Sequence, residues 1–108
     1  MKKSSLIFIL LMVFHSGLAQ AGEALNNKKF IELSEGQRHW YFIGAYSAIS
    51  HMTGMENQEQ SECVLNWFFN DTEKKEATLL ENITRYPDHS PTSIIFAMLR
   101  RSCNILPK

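Results

Sequence analysis

The chain has 108 residues, of which 44% are hydrophobic and 20% are charged, and its eleven Lys and Arg residues balance eleven Asp and Glu residues. This length accommodates one small domain. A formal net charge of zero leaves no basic excess to neutralise phosphates, so the composition argues against nucleic-acid binding.

Residues 1–21 have the three-part pattern of a secretory signal peptide. Lys2-Lys3 precedes an apolar run of nine residues, Leu6–Phe14, and the segment closes on Ala19-Gln20-Ala21, an A-x-A cleavage site. This run is too short to span a bilayer, which takes about 20 residues in a helix. We therefore predict export, cleavage of the signal peptide, and a single helical domain at residues 22–108 without a membrane anchor.

Cys63 and Cys103 are the only cysteines of the chain. Export would place them in an oxidising compartment, where an even number of cysteines is typical of disulfides. We expect one bond, which would close a loop of about 40 residues and stabilise the domain by roughly 4 kcal/mol. Two free buried thiols are the alternative. A thiol-exchange site is disfavoured because the C-x-x-C spacing is missing.

The first half of the mature segment predicts one long helix. Residues 22–29 have no hydrophobic period and are expected to form a loose leader, followed by a short apolar turn at Phe30. Ser34, with Gln37 three residues later, fits a capping box at the helix start. The helix should end at Gly54, which can adopt the left-handed conformation. The residues expected on its buried face are Tyr41, Ala45, Ala48, Ile49 and Met52, widened by Trp40, Ile43 and Gly44.

Gly44 and Ala48 lie one helical turn apart and would let a neighbouring backbone approach closely. We interpret this pair as an ordinary packing site inside the domain, in preference to a dimerisation motif. A homodimer stays open as an alternative.

The second half predicts a loop, a turn and two helices. Met55–Gln60 is expected to be a polar loop, and Cys63–Phe69 a short helical turn, because its apolar residues have no clean period. Asn70-Asp71-Thr72 offers capping residues for a helix that Tyr86-Pro87 ends, and Ser90-Pro91 starts the last helix. Their expected core residues are Leu79, Leu80, Ile83, Ile94, Ile95, Met98 and Leu99. The pattern predicts an all-α bundle of three to four helices with one disulfide.

No group of residues forms a convincing catalytic or metal site. Asp88-His89-Ser90 are consecutive, so their side chains diverge and cannot form the relay of a hydrolase triad. No two of His39, His51 and His89 share a helix at the i, i+4 spacing of metal-binding pairs. We therefore expect no enzymatic activity, no cofactor and no bound metal.

Trp67-Phe68-Phe69 is the most distinctive aromatic group. Core packing is the default for such rings in a small domain. If one ring stays exposed, an aromatic side chain beside the acidic loop that contains Glu56, Glu59 and Glu62 would resemble a protein-binding hot spot. We predict that the chain binds a protein partner through Trp67, Phe68, Glu56 and Glu59.

Several elements together resemble the Rap/Tai type of periplasmic immunity protein. They are the Lys-led signal peptide, the aromatic-rich helix Trp40–Tyr46, a cysteine after a polar loop, a helix ending at Tyr86-Pro87, and Ser90–Ile95 followed by a terminal cysteine. Such proteins are small, helical and associated with type VI secretion in Gram-negative bacteria. The resemblance covers about Trp40–Cys103 and implies a periplasmic or secreted protein that binds and neutralises a cell-wall-degrading effector. The family often has Pro-Gly shortly after the first cysteine, where this chain has Val64-Leu65-Asn66-Trp67.

A small acid-activated periplasmic chaperone is the alternative function. The mature segment would carry eleven carboxylates and three histidines. Their protonation at low pH would loosen a helical bundle and expose Trp and Phe side chains. This function predicts suppressed client aggregation at about pH 2 to 3. The immunity function instead predicts stoichiometric binding to an effector.

Overall fold

A computed structural model describes residues 25–105, and within this range the chain has five helices and no strand. The helices are α1 (Asn27–Phe30), α2 (Glu35–Gly54), α3 (Gln58–Phe69), α4 (Thr72–Arg85) and α5 (Pro91–Cys103). The all-α class is confirmed, and the helix count is one above the upper end of the expected range. The predicted signal peptide lies outside the described residues.

Helix α1 belongs to the fold, so the prediction of a loose leader is wrong for its residues. Asn26 caps the helix by accepting a hydrogen bond from the backbone of Lys29. Asn27 is fully buried: its backbone N–H donates to the carbonyl of His89 and its Nδ2 to the carbonyl of Tyr86, both at 2.8 Å. These bonds attach α1 to the turn between α4 and α5, while the ring of Phe30 enters the core.

The capping box at the start of α2 is confirmed, because Ser34 and Gln37 each accept from the other's backbone N–H. The buried face differs from the predicted one and consists of Phe42, Tyr46, Ile49 and Ser50. Of the residues expected there, the exposed ones are Trp40, Gly44, Ala48 and Met52. Apolar residues occur on nearly every side of α2, so hydrophobic spacing alone did not select the correct face.

Helices α2 and α3 pack antiparallel along most of their length. Phe42 and Tyr46 contact Phe68 near one end, and Ser50 contacts Ser61 near the other. The two buried serine hydroxyls are 2.8 Å apart, and the Ser61 hydroxyl donates to the backbone carbonyl of Ser50. This buried polar pair satisfies its own hydrogen bonds where the two helices meet.

The continuous helix α3 corrects the prediction of a polar loop followed by a short turn. Its N-cap is Asn57, whose side chain accepts from the backbone of Gln60 at 3.1 Å. Its buried positions are Ser61, Val64 and Phe68, which follow helical spacing at i, i+3 and i+7, and the first of them is polar. A prediction based on apolar residues alone therefore places the start of α3 too late in the sequence.

Helices α4 and α5 confirm the sequence prediction. Asp71 caps α4, and α4 ends at Arg85, immediately before Tyr86-Pro87. Ser90 caps α5 with Pro91 at its first position, and Asn104 ends it in the left-handed region at φ 54°. The expected core residues are buried or half-buried: Leu79, Leu80, Ile83, Ile94, Ile95, Met98 and Leu99.

The predicted disulfide is confirmed. Cys63 of α3 and Cys103 of α5 are bonded, with Cα atoms 5.8 Å apart and a sequence separation of 40. The bond indicates an oxidising, non-cytoplasmic environment, because disulfides persist in such compartments. None of the helices in residues 25–105 is long and apolar enough to cross a membrane.

Gly54 provides close packing and not the predicted left-handed helix end. No described glycine has a positive φ, and the C-cap residue Met55 is right-handed at φ −65°. A Cβ atom on Gly54 would lie 3.1 Å from Oγ and 3.3 Å from Cβ of Ser61. The missing side chain therefore lets α3 approach the end of α2.

We expect Gly54→Ala to lower the free energy of unfolding by about 1 kcal/mol, because the added methyl group overpacks this contact. Urea denaturation measures the change. Gly36→Ala is the matched control, since a Cβ atom on Gly36 meets nothing within 4 Å; its stability should stay equal or rise. Equal losses in both variants would contradict a packing role specific to Gly54.

Candidate protein-binding site

An open groove of about 580 Å³ runs along α3 to the start of α4. The residues that line it are Glu59, Glu62, Cys63, Asn66, Trp67, Asn70 and Lys75. All except Lys75 recur at helical spacing, so one face of α3 carries them while the opposite face carries the buried residues. The groove combines two carboxylates, an indole ring and an ammonium group in one surface.

Trp67 is held in place from within the chain. Its ring stacks on Tyr46 with centroids 5.7 Å apart and an interplanar angle of 24°. The Nζ atom of Lys75 lies 4.4 Å from the ring centroid, a cation–π contact, and donates to the carbonyl of Trp67 at 2.7 Å. Because the half-buried indole is already fixed, it would lose little conformational freedom when a partner binds.

Phe68 corrects the predicted binding surface. Its side chain is 0% exposed and stacks on Tyr46 with centroids 4.2 Å apart. Consecutive helical residues point about 100° apart, so Phe68 faces the core when Trp67 faces the groove. The structure therefore leaves Phe68 no surface for a partner, whereas the neighbouring Phe69 is 47% exposed.

Glu59 and Glu56, the other two predicted contacts, occupy different places. Glu59 lines the groove, while Glu56 is exposed in the link between α2 and α3 and does not line it. Sequence reasoning left Glu62, Asn66 and Lys75 out of the site. Glu62 and Asn66 share a face with Glu59 only if α3 is continuous, and Lys75 comes from another helix.

The three described histidines lie apart. His39 Nδ1 is 2.6 Å from Oε1 of Glu76 and links α2 to α4, whereas His51 and His89 are exposed. The Ser90 hydroxyl caps α5, so the sequence Asp88-His89-Ser90 forms a turn and a helix start. Within residues 25–105, no group of three or more His, Cys, Asp or Glu residues could hold a metal ion.

A second groove, of about 440 Å³, lies between α4 and α5. Its charged side chains include Arg100 and Arg101, which belong to the last turn of α5, where positive charge offsets the helix dipole. The helix dipole alone accounts for this basic pair. We therefore take the α3 groove, with its fixed indole, as the candidate site.

Comparisons with protein-family models, with curated proteins and with solved structures found no match. The functional argument rests on the residues of this chain. The resemblance to Rap/Tai immunity proteins stays a prediction.

Tyr46, which supports Trp67, carries a buried hydroxyl without a hydrogen-bond partner among the described residues. Burial raises the pKa of this phenol above its usual range, because desolvation disfavours the phenolate. An unpaired buried hydroxyl costs about 1 to 3 kcal/mol. The ring is retained at this cost because it stacks on both Trp67 and Phe68.

We expect Tyr46→Phe to raise the free energy of unfolding by about 1 kcal/mol at neutral pH, because it removes the unpaired hydroxyl. A tyrosine in the unfolded chain ionises from about pH 10, while folded Tyr46 keeps its proton. The ionisation of Tyr46 therefore leaves stability unchanged below about pH 10 and lowers it as the pH rises further, because only the unfolded chain gains the charged form. The variant should lose less stability in alkali than the parent.

Thermal denaturation from about pH 7 to pH 11 measures both effects. The control is Tyr86→Phe, because Tyr86 is an exposed tyrosine. A Tyr46→Phe protein that is less stable than the parent at neutral pH would show that the hydroxyl is paired.

Proposed function

We propose that this chain is an exported immunity-type protein of the Rap/Tai kind, which neutralises a cell-wall-degrading effector by stoichiometric binding. The observation that carries the proposal is the fixed indole of Trp67 beside Glu59 and Glu62 in an open groove. The helical bundle, its disulfide and the resemblance described above support it. A Gram-negative periplasm would provide both the oxidising environment and the target.

Neutralisation by occlusion requires a tight contact and no turnover. A rigid aromatic anchor with a polar rim is the usual composition of an interface hot spot. The carboxylates of Glu59 and Glu62 complement a basic surface, so the effector should place Arg or Lys side chains against them. Cys63 lines the same groove, and its bond to Cys103 fixes α3 against α5 before the partner arrives.

The proposal is tested by inhibition of a purified effector. The chain recovered after export is titrated against purified cell-wall hydrolases, first against any that is encoded next to its gene, and release of soluble cell-wall fragments is measured. We expect inhibition to be complete at one equivalent, and cells that export the chain should survive attack by a donor of that hydrolase. The absence of both inhibition and protection would reject the proposal.

Within that assay, Glu59→Lys and Trp67→Ala should each weaken binding by about tenfold or more, because they remove the carboxylate and the anchor of the groove. Isothermal titration calorimetry measures Kd. Glu56→Lys makes the same charge reversal on an exposed carboxylate outside the groove and should leave Kd nearly unchanged. Equal losses for Glu56→Lys and Glu59→Lys would place the contact elsewhere.

Replacing both cysteines, Cys63→Ser with Cys103→Ser, avoids a lone reactive thiol. We expect the free energy of unfolding to fall by roughly 4 kcal/mol, because the unfolded chain loses the constraint of the closed loop. Effector binding should weaken as well, since α3 is no longer tied to α5. Urea denaturation and calorimetry measure the two effects, and normal affinity with lower stability would limit the disulfide to a structural role.

The acid-activated chaperone is the second candidate function, and the pairing of His39 with Glu76 favours it. This pair links α2 to α4 at 2.6 Å. Loss of this contact would help to separate the two helices. Light scattering of an aggregating client at about pH 2 to 3 tests this function; suppression there, without effector inhibition at neutral pH, would replace the immunity proposal.

A further inference from the structure

The groove between α4 and α5 is lined by basic, aromatic and apolar side chains, and no carboxylate of the described residues lines it. Its volume of about 440 Å³ lies in the range of small-ligand sites. The α3 groove has the opposite composition, because two carboxylates and one ammonium group line it. The charge of the α4–α5 groove therefore complements an anion, whereas that of the α3 groove complements a cation.

This groove follows one face of α5 for most of the helix. His89 precedes the N-cap residue Ser90 and marks one end. Arg100 and Arg101 belong to the last turn and mark the other end. An α-helix rises 1.5 Å per residue, so the lining residues from Ser93 to Arg101 cover about 12 Å. An extended peptide covers this length with about three to four residues.

The guanidinium groups of Arg100 and Arg101 have no partner within the described chain. Both side chains are exposed, and neither pairs with a carboxylate or donates a hydrogen bond among residues 25–105. The helix dipole accounts for positive charge at this end of α5, but it does not engage the N–H donors. Each guanidinium presents a planar fork of donors that matches the two oxygens of a carboxylate. The pair therefore favours a carboxylate at this end of the groove.

The middle of the groove combines apolar surface with one open acceptor. Ile94 is 8% exposed and Met98 is half-buried, so the two side chains form an apolar base. Asn82 donates through Nδ2 to the carbonyl of Thr78 at 2.9 Å, and no described residue donates to its Oδ1. A peptide offers the matching groups, because each residue carries a backbone N–H beside its side chain.

The turn between α4 and α5 gives the groove a preformed aromatic rim. The rings of Tyr86 and His89 lie 5.6 Å apart in an edge-to-face arrangement. The carbonyls of both residues accept hydrogen bonds from the buried Asn27, each at 2.8 Å. Helix α1 therefore holds this turn in place. Because the rim is fixed in advance, a ligand that contacts it loses less free energy to the ordering of the protein.

We propose that the α4–α5 groove binds a short peptide segment that ends in a free carboxylate. The carboxylate contacts Arg100 and Arg101, and the last side chain of the peptide packs on Met98. A backbone N–H of the peptide donates to Oδ1 of Asn82, and the residue about three positions earlier reaches Tyr86. A phosphate ion or a lipid headgroup offers the negative charge without this N–H.

The site is separate from the proposed effector contact and does not depend on it. No residue lines both grooves, and the two have opposite charge. A Glu59→Lys protein, which should lose effector binding, should therefore bind the peptide with unchanged Kd. Failure of the peptide site and failure of the proposed function are thus distinguishable.

Calorimetric titration of the exported, disulfide-bonded chain tests recognition of the carboxylate. The probe is an N-acetylated tetrapeptide of three alanines and a C-terminal leucine, and its C-terminal amide is the matched control. We expect the amide to bind about tenfold more weakly or worse, because it lacks the charge that the guanidinium groups recognise. Equal binding of acid and amide, or no binding of the acid at millimolar concentration, would overturn the proposal.

Arginine variants test the site. Arg100→Gln and Arg101→Gln should each raise the Kd of the acid probe by about tenfold or more. Arg85→Gln is the control, because it removes the same charge from an exposed arginine that pairs with Glu81 and does not line the groove. It should leave Kd nearly unchanged, and circular dichroism checks that all three variants stay folded. Equal losses in Arg85→Gln and Arg100→Gln would attribute binding to net charge and overturn the site.

Nuclear magnetic resonance tests the orientation of the bound peptide. A nitroxide spin label at the N-terminus of the probe should broaden the backbone amide signals of Tyr86 and His89 more than those of Arg100 and Arg101. The reverse pattern, or broadening centred on Trp67 of the other groove, would contradict the proposed placement.

Vesicles of phosphatidylethanolamine and phosphatidylglycerol provide the competing anion. Probe binding without vesicle binding supports the peptide site. Vesicle binding that Arg100→Gln weakens, in a protein that does not bind the probe, would assign the groove to a phosphate headgroup and overturn the proposal.

Discussion

The stacking of Tyr46 on Phe68 and Trp67 is the contact on which the arrangement of the helices depends. It joins the longest helix to α3 and sets the rotation of α3 about its own axis, with Phe68 in the core and Trp67 at the groove. Because α2 lies outside the disulfide loop, covalent bonding cannot supply this contact. The stacking of this ring offsets the cost of burying its hydroxyl without a described partner.

Two further constraints hold the opposite side of the bundle. The Cys63–Cys103 bond ties α3 to α5, and Asn27 binds the carbonyls of the turn that joins α4 to α5. The disulfide limits how far α3 can move from α5, while the Asn27 bonds fix the corner at the other end of α5. Together they connect α1, α3 and α5 into one bundle.

The α3 groove and the exposed side of α2 differ in their chemistry. The groove on α3 combines carboxylates with a fixed indole, whereas the exposed large apolar side chains of α2 include Trp40 and Met52. Trp67 and Trp40 thus differ in their surroundings: the first is half-buried between Tyr46 and Lys75, and the second is largely exposed. The two indoles therefore belong to different surfaces of the bundle.

The sequence by itself determined the all-α class, the disulfide, and the starts of α2, α4 and α5. These features depend on a capping residue within a few positions of its target, on a proline that interrupts a helix, or on two cysteines with no other partner. It also selected Trp67 and Glu59, which both line the α3 groove, because a clustered aromatic group beside carboxylates is visible in the chain itself.

Only the tertiary structure decided which side of each helix is buried. Apolar residues occur on nearly every side of α2, so Phe42 and Tyr46 could be selected only by the helix that packs on them. The Ser50–Ser61 pair concealed the start of α3, since two hydroxyls that satisfy each other behave as core residues only when both helices are present. The packing of Tyr46 on α3 separated Trp67 from Phe68, because adjacent helical residues face about 100° apart and the partner helix determines which of them is inside.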